Sequence, residues 1–187
     1  MNITLIGFMG TGKTAVGRRL AQRLRRRFID VDAWIEARER RSITEIFRRY
    51  GEPRFRRLER AAIARLVCES NAVLATGGGA VIDPANLAHL KRTGPVICLS
   101  ASPRTIVQRI GRSEHRPLFA QADRQQLIAL LRRRSAAYAQ ADWAVDTTDR
   151  SISDVARLIQ AYLEKTVGIV YLPPHEELVH VSPLSFS

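Results

Sequence analysis

A glycine-rich segment near the amino terminus constrains the fold and function of this chain more than any other feature. Residues 7–14 fit the pattern G-x-x-x-x-G-K-T and follow an apolar stretch, Ile3–Ile6, that is typical of a strand. The residues after Thr14 are typical of a helix. Between a strand and a helix, such glycines let backbone N–H groups converge on phosphate oxygens at the positive end of the helix dipole. The segment predicts a nucleoside triphosphate-binding loop rather than a glycine-rich turn without a ligand.

Two side chains of this loop carry chemistry. The pattern predicts that Lys13 contacts the β- and γ-phosphates and that the Thr14 hydroxyl binds Mg²⁺. The chain has 27 arginines and only 3 lysines, and one of the lysines stands at position 13. In a chain that otherwise uses arginine, this position therefore has a compact ammonium group rather than a planar guanidinium group.

Length and composition are those of a globular protein with one domain. The chain has 187 residues, of which 45% are hydrophobic and 26% charged. We find no apolar run of membrane-spanning length and no room for a signal peptide before the first strand, so we expect a cytoplasmic protein without a membrane partner. Cys68 and Cys98 lack metal-ligand spacing, and we expect both to be buried free thiols.

The net charge of +12 raises the alternative of a basic, ATP-responsive nucleic-acid-binding protein. Only 6% of the residues are aromatic, and they do not interleave with the basic runs, so no stacking platform for bases is visible. Solvated arginine-rich helix faces and anionic small-molecule substrates account for most of the charge. We expect no specific nucleic-acid partner.

Short apolar runs alternate with helical patterns along the chain. This alternation predicts an α/β protein in which crossover helices flank a parallel sheet. The predicted strands cover residues 3–6, 28–31, 72–75, 96–99 and 143–145, and the predicted helices cover residues 13–24, 32–38, 43–50, 53–69, 84–91, 103–110, 123–139 and 151–165.

Two aspartates end the second predicted strand. In an extended D-x-D segment, Asp30 and Asp32 lie on the same side of the strand, at the carboxyl edge where open α/β sheets bind ligands. One carboxylate could help to hold hydrated Mg²⁺ and the other could accept hydrogen bonds from a substrate hydroxyl. The alternative is a helix cap at Asp32 and a surface charge at Asp30.

Two further segments are ambiguous when taken alone. Residues 77–79 are three glycines after the third predicted strand, which would let a bound molecule approach the backbone closely or would simply form a tight turn. Arg56 and Glu59 are three residues apart on a predicted helix, which fits either a site or a surface ion pair.

The order of the motifs makes the chain recognisable. Between residue 2 and about residue 165, it resembles the bacterial shikimate kinase family. The resemblance rests on G-F-M-G-T-G-K-T, F-I-D-V-D-x-W-I-E, I-T-E-I-F-x-x-x-G-E-x-x-F-R-x-x-E, A-T-G-G-G-A, R-P-L and R-x-x-x-Y-x-x-A. The first motif is shared by a large superfamily, so the specificity lies in the combination of D-x-D, F-R-x-x-E and the three glycines.

The resemblance implies a role for each matched residue. Asp32 would bind the substrate hydroxyls as base or orienter, Asp30 would lie on the metal side with Thr14, and Glu59 would hold Arg56 in position. Arg116 would swing over the phosphates from a lid and, with Lys13 and Asp32, complete the catalytic set. The ATP-binding residues would be Gly10, Thr11, Gly12, Lys13, Thr14, Ala15, Arg109, Arg116 and Arg150, and the shikimate-binding residues would be Asp32, Arg56, Gly78, Gly79 and Arg134.

The resemblance also implies a fold and a reaction. The fold would be a P-loop NTPase three-layer α/β/α sandwich of the nucleoside monophosphate kinase-like type, with a five-stranded parallel sheet in the order 2-3-1-4-5. Residues 1–165 would be the kinase domain, with a substrate-binding segment at 32–60 and a lid at 111–120, and residues 166–187 an appended tail. The enzyme, which we expect to be a monomer, would use MgATP to phosphorylate the 3-hydroxyl of shikimate. The alternative among enzymes is a P-loop kinase for gluconate or a nucleoside monophosphate. Such a kinase would not require the combination of the D-x-D segment, Arg56 and the three glycines.

Overall fold

One parallel sheet of five strands organises the described residues. The computed structural model describes residues 1–111 and 124–168. All strand pairings are parallel, and the order β2-β3-β1-β4-β5 confirms the order that the family resemblance implied. The strands are β1 (Ile3–Ile6), β2 (Arg27–Asp30), β3 (Ala72–Ala75), β4 (Val96–Ser100) and β5 (Trp143–Asp146).

Helices connect the strands, and polar side chains cap several of their starts. Ser42, Asp83 and Ser151 each accept a hydrogen bond from a backbone N–H in the following helical turn, which satisfies a donor that the helix cannot. The helices of the described residues are α1 (Lys13–Arg23), α2 (Val31–Glu39), α3 (Ile43–Leu66), α4 (Pro84–Thr93), α5 (Pro103–Gly111), α6 (Arg124–Tyr138) and α7 (Ile152–Val167), with a 3₁₀ turn at Ala80–Ile82.

The core lies on both faces of the sheet. Because side chains alternate along a strand, Leu5 and Ile6 of β1 belong to different apolar clusters. The cluster of Leu5 includes residues of α1 and α7, and the cluster of Ile6 includes residues of α2, α3, α4, α5 and α6. The result is the expected three-layer sandwich, in which both clusters hold the carboxyl ends of β1, β2 and β3 at one edge.

Three local features differ from the sequence predictions. Residues 43–66 form one element with an internal break at Gly51, where φ is +74° and ψ is 171°, a conformation that glycine tolerates. Helix α7 runs two residues beyond Lys165, to Val167, and Gly168 caps its end. The prediction that both cysteines are buried is wrong for Cys68, which is exposed just after α3, whereas Cys98 in β4 is buried.

None of the helices in the two described ranges combines the length and the apolar character needed to cross a membrane.

Candidate active site

The P-loop lies between β1 and α1, as the sequence predicted. Gly10 and Gly12 have φ values of +76° and +92°, in the left-handed region that favours glycine. Helix α1 begins at Lys13 without a side-chain cap, so its first backbone N–H groups remain for a ligand. The Thr11 hydroxyl donates to the Phe8 carbonyl at 2.7 Å and closes the loop.

The ammonium group of Lys13 lies over this loop. Its Nζ atom donates to the carbonyl oxygens of Gly7 and Phe8 at 2.9 and 2.8 Å. Lys13 is therefore held by neutral acceptors at the mouth of the P-loop. Phosphate oxygens would replace these carbonyls with charged acceptors, which form stronger hydrogen bonds with an ammonium group.

Thr14 and Asp30 come together at the start of α1. The Thr14 hydroxyl donates to Asp30 Oδ2 at 2.7 Å. A hydroxyl beside a carboxylate fits Mg²⁺, which takes few protein oxygens and completes its shell with water and phosphate oxygens. Among the described residues, no group of three or more histidine, cysteine, aspartate or glutamate side chains could hold a metal by itself. The donor set therefore suits a metal that arrives with a nucleotide.

The D-x-D segment is not extended, contrary to the sequence prediction. Strand β2 ends at Asp30, and α2 begins at Val31, so Asp32 lies in the first turn of the helix. Asp30 Oδ1 accepts from the backbone N–H groups of Asp32 and Ala33 at 3.1 and 3.2 Å. Asp30 is thus the helix cap that the sequence had offered as an alternative for Asp32. Asp30 caps the start of α2, and Asp32 lies in the first turn of this helix.

The three glycines after β3 pack against the residues that the sequence singled out. A Cβ atom on Gly77 would lie 2.7 Å from Asp32 Oδ1 and 2.8 Å from Glu59 Oε1. On Gly78, it would lie 3.2 Å from the Met9 backbone nitrogen of the P-loop. The glycine segment therefore fills the space between the P-loop and the acidic side chains, and a side chain would push them apart.

Arg56 lies against the last of these glycines. A Cβ atom on Gly79 would be 2.5 and 2.6 Å from the two terminal nitrogens of the Arg56 guanidinium group. Arg56 Nη1 donates to Glu59 at 2.7 Å, and Nη2 and Nε donate to Glu52 at 2.8 and 3.1 Å. The ion pair with Glu59, which the sequence left open as a surface pair, is instead partly buried, because only 1% of the Glu59 side chain is exposed.

Burial governs the ionisation of this pair. It raises the pKa of the Glu59 carboxyl; the Arg56 guanidinium opposes the rise, and the negative charge of Asp32 adds to it. Burial alone would lower the pKa of Arg56, but Glu59 and Glu52 overcome this effect and raise the pKa. Arg56 is therefore a permanently charged donor group, held by two carboxylates within reach of the glycines.

Arg134 and Tyr138 reach the same glycines from α6. Arg134 Nη1 donates to the Gly78 carbonyl at 3.2 Å, and the Tyr138 hydroxyl donates to it at 2.5 Å. The Arg134 guanidinium also lies over the Phe8 ring, 5.7 Å from its centroid. Arg134 Nε is buried and has no hydrogen-bond partner within the described part of the chain. A buried guanidinium N–H without an acceptor is costly, and a ligand carboxylate would supply one.

The residues expected around adenine border the P-loop on its other side. Arg109 of α5 donates to the Thr147 hydroxyl at 2.9 Å, to the Thr147 carbonyl at 2.8 Å and to the Gly10 carbonyl at 3.4 Å. The Thr147 hydroxyl also lies 3.2 Å from the Thr11 carbonyl. Arg150 is exposed, and its backbone N–H donates to the Thr147 carbonyl at 3.4 Å. Thr147 thus ties α5 and the loop after β5 to the P-loop.

The structure brings together most of the predicted site residues, but one of them lies outside the described part of the chain. Arg116 lies outside the described residues, as does nearly all of the predicted lid, of which only Gly111 is described as the end of α5. Sequence reasoning assigned no role to Glu52, Tyr138 and Thr147. Glu52 lies four residues before Arg56, and this spacing could have indicated that the two side chains interact. Tyr138 is the tyrosine of the R-x-x-x-Y motif.

Comparisons with known proteins agree with this geometry. A family model described as shikimate kinase matches residues 9–164. A shikimate kinase from Geobacter sulfurreducens is 47% identical over 165 residues, covering 88% of this chain and 91% of that protein. One from Caldanaerobacter subterraneus is 42% identical, covering 87% and 96%. A solved structure of shikimate kinase from Acinetobacter baumannii in complex with shikimate has a TM-score of 0.83 and 37% identity, covering 89% of this chain and 94% of that one.

Proposed function

The chain belongs to the shikimate kinase family and phosphorylates shikimate, and we propose that it transfers the γ-phosphoryl group of MgATP to the 3-hydroxyl, giving shikimate 3-phosphate and ADP. One observation carries this proposal. Gly77, Gly78 and Gly79 pack, in turn, against the acidic pair Asp32 and Glu59, the P-loop backbone and the Arg56 guanidinium. A phosphate-binding loop, a hydroxyl-binding carboxylate and a carboxylate-binding guanidinium thus meet at one backbone segment.

The phosphate side of the site works by positioning and charge. Phosphoryl transfer needs little covalent chemistry from the protein and mainly requires that the developing charge be neutralised. Lys13 would exchange its carbonyl acceptors for phosphate oxygens, while Thr11 and the N–H groups of residues 10–15 cradle the same phosphates. Thr14, through its hydroxyl, and Asp30, through water, would hold Mg²⁺, which would supply positive charge beside the phosphoryl oxygens.

The acceptor side recognises a hydroxylated carboxylic acid. Asp32 would accept the hydrogen bond of the attacking hydroxyl and orient it, taking up its proton as transfer proceeds. Arg56 and Arg134 would bind the carboxylate, since guanidinium groups match its planar geometry. The N–H groups of Gly78 and Gly79 would bind a further oxygen of the substrate. Glu59 keeps Arg56 in place.

The remaining assignments follow from the resemblance. Arg116 would approach the phosphates from the lid, and Arg109 and Arg150 would border the adenine. Lid closure would exclude water and limit ATP hydrolysis. A monomeric enzyme of the cytoplasm, without a specific nucleic-acid partner, completes the proposal.

A coupled ADP-release assay tests the proposal directly. We expect turnover that requires both shikimate and Mg²⁺, and none with gluconate or a nucleoside monophosphate as acceptor. Equal rates with and without shikimate would contradict the substrate assignment. A salt-dependent oligonucleotide binding curve, measured on the same preparation, addresses the nucleic-acid alternative. Sequence-selective binding that persists at physiological salt would support that alternative, because non-specific phosphate contacts weaken steeply with salt.

A further inference from the structure

Tyr138 makes the shortest hydrogen bond at the glycine segment, although the proposed reaction assigns it no role. Its hydroxyl donates to the Gly78 carbonyl at 2.5 Å, and only 8% of the residue is exposed. Burial raises the pKa of this hydroxyl to about 12, with the nearby Arg134 guanidinium opposing the rise. The hydroxyl therefore keeps its proton, and hence its role as donor, throughout the neutral pH range.

The hydrogen bond fixes more than one carbonyl. All peptide bonds of the described residues are trans, and in a trans peptide the carbonyl oxygen and the following N–H lie in one rigid plane and point in opposite directions. Holding the Gly78 carbonyl on the α6 side therefore directs the Gly79 N–H away from α6. Neither Gly78 nor Gly79 donates its N–H to another described residue. Both donors are available to a ligand, and the direction of the Gly79 N–H depends on the orientation of the Gly78–Gly79 peptide plane.

Glycine needs such an external support more than any other residue. With no side chain, Gly78 and Gly79 have wide conformational freedom, and their peptide plane can rotate between alternative orientations at low cost. The only side chains of the described chain that hydrogen-bond to the Gly78 carbonyl are Tyr138 and Arg134. Arg134 is also needed for the substrate carboxylate, and its contact is the longer one, at 3.2 Å. Tyr138 can hold the plane without competing for the ligand.

We propose that Tyr138 is a positioning residue for the acceptor substrate, which acts by locking the Gly78–Gly79 peptide plane so that its N–H faces the bound hydroxy acid. This inference rests on the proposed function. It explains why the R-x-x-x-Y spacing suits the site: residues four apart lie on the same face of a helix, so Arg134 and Tyr138 of α6 reach the same carbonyl.

The test is Tyr138→Phe, which removes one oxygen and keeps the ring in the core. We expect the KM and the calorimetric Kd for shikimate to rise about three- to ten-fold, the range expected for one neutral hydrogen bond. The KM for ATP should change by less than about two-fold, because the P-loop keeps its own hydrogen bonds. Tyr162→Phe is the matched control, since Tyr162 stacks on Trp143 at 4.4 Å between α7 and β5 and should leave both KM values unchanged.

Two results would overturn the inference. In one, Tyr138→Phe lowers only the melting temperature, as a purely structural tyrosine would. In the other, it raises the KM values for shikimate and ATP alike, as a general loosening of the site would. The wild-type control separates the two proposals: if wild type lacks shikimate-dependent turnover, the proposed function fails, whereas if wild type is active and the variant keeps wild-type shikimate affinity, only the role of Tyr138 fails.

Discussion

A methyl group at position 79 tests whether Arg56 binds the substrate carboxylate, because the structure places the two residues in direct contact. Gly79 has φ −109° and ψ −2°, which alanine adopts without left-handed strain. The cost of Gly79→Ala therefore comes from its contacts. The new Cβ atom would lie 2.5, 2.6 and 2.8 Å from atoms of the Arg56 guanidinium. Since ordinary contacts are about 3.5–4.0 Å, the guanidinium must move by roughly 1 Å.

This displacement should weaken substrate binding far more than folding. Arg56 is a long side chain that can swing away, so we expect the melting temperature to fall by no more than about 4 °C, equivalent to about 1 kcal/mol in a chain of this size. Hydrogen bonds to a charged group contribute about 1.5–3 kcal/mol. Losing them should lower kcat/KM for shikimate by roughly ten- to a hundred-fold, while the KM for ATP stays nearly unchanged.

A second glycine provides the contrasting control. A Cβ atom on Gly17 of α1 would also meet an atom at 2.5 Å, but that atom belongs to the Phe28 ring. Gly17→Ala should therefore lower stability through overpacking, by about 1–3 kcal/mol, and leave the KM for shikimate unchanged. Steady-state kinetics and thermal melts of both variants make the comparison. A folded Gly79→Ala enzyme with wild-type kcat/KM for shikimate would refute the placement of Arg56 at the carboxylate.

Three further predictions concern the attacking hydroxyl, the thiols and the end of the chain. Asp32→Asn should lower kcat by about 10²–10⁴-fold while calorimetric ATP binding persists; an unchanged kcat with a lower melting temperature would leave Asp32 a structural residue. At pH 8, a thiol reagent should label Cys68 at once and Cys98 only after unfolding, because Cys98 is 6% exposed and burial raises its pKa to about 11; two fast thiols would contradict this. Deleting residues 169–187 should keep kcat/KM within about two-fold, since all proposed site residues lie upstream, and inactive or insoluble protein would show that the segment is required.

The sequence allowed prediction of those features that depend on local patterns. The P-loop follows from its spacing, and each strand prediction overlaps an observed strand, because buried parallel strands are short apolar runs. The strand order came from the family resemblance, since a sequence pattern does not say which strands are neighbours. Arg56 and Glu59 were paired correctly because their three-residue spacing brings them together on any helix.

What the sequence could not give were the contacts between distant segments. Nothing local in residues 77–79 indicates that each glycine packs against a different functional group, one of which, the P-loop, is more than 60 residues away in sequence. The conformation of the D-x-D segment was predicted wrongly, because the same sequence fits both an extended segment and the capped start of a helix. Asp30 resolves the choice in favour of a helix start by accepting hydrogen bonds from the first turn of α2. Cys68 was misplaced because α3 ends at Leu66, before the predicted helix end.

The supports of the P-loop have a consequence for how the protein is made. The loop is encoded first, but its Gly7 packs against the Leu99 carbonyl, and its Gly10 and Thr11 carbonyls accept hydrogen bonds from Arg109 and Thr147. At about 5–20 residues per second on the ribosome, the last of these supports is synthesised only roughly 7–30 s after the loop itself. Until β3 and β4, the two neighbours of β1 in the sheet, have been synthesised, Ile3, Leu5 and Ile6, which have no exposed surface in the folded protein, lack most of their partners. We expect nascent chains to gain affinity for ATP only when β5 has left the ribosome, and the unpaired first strand to be the segment that chaperones protect.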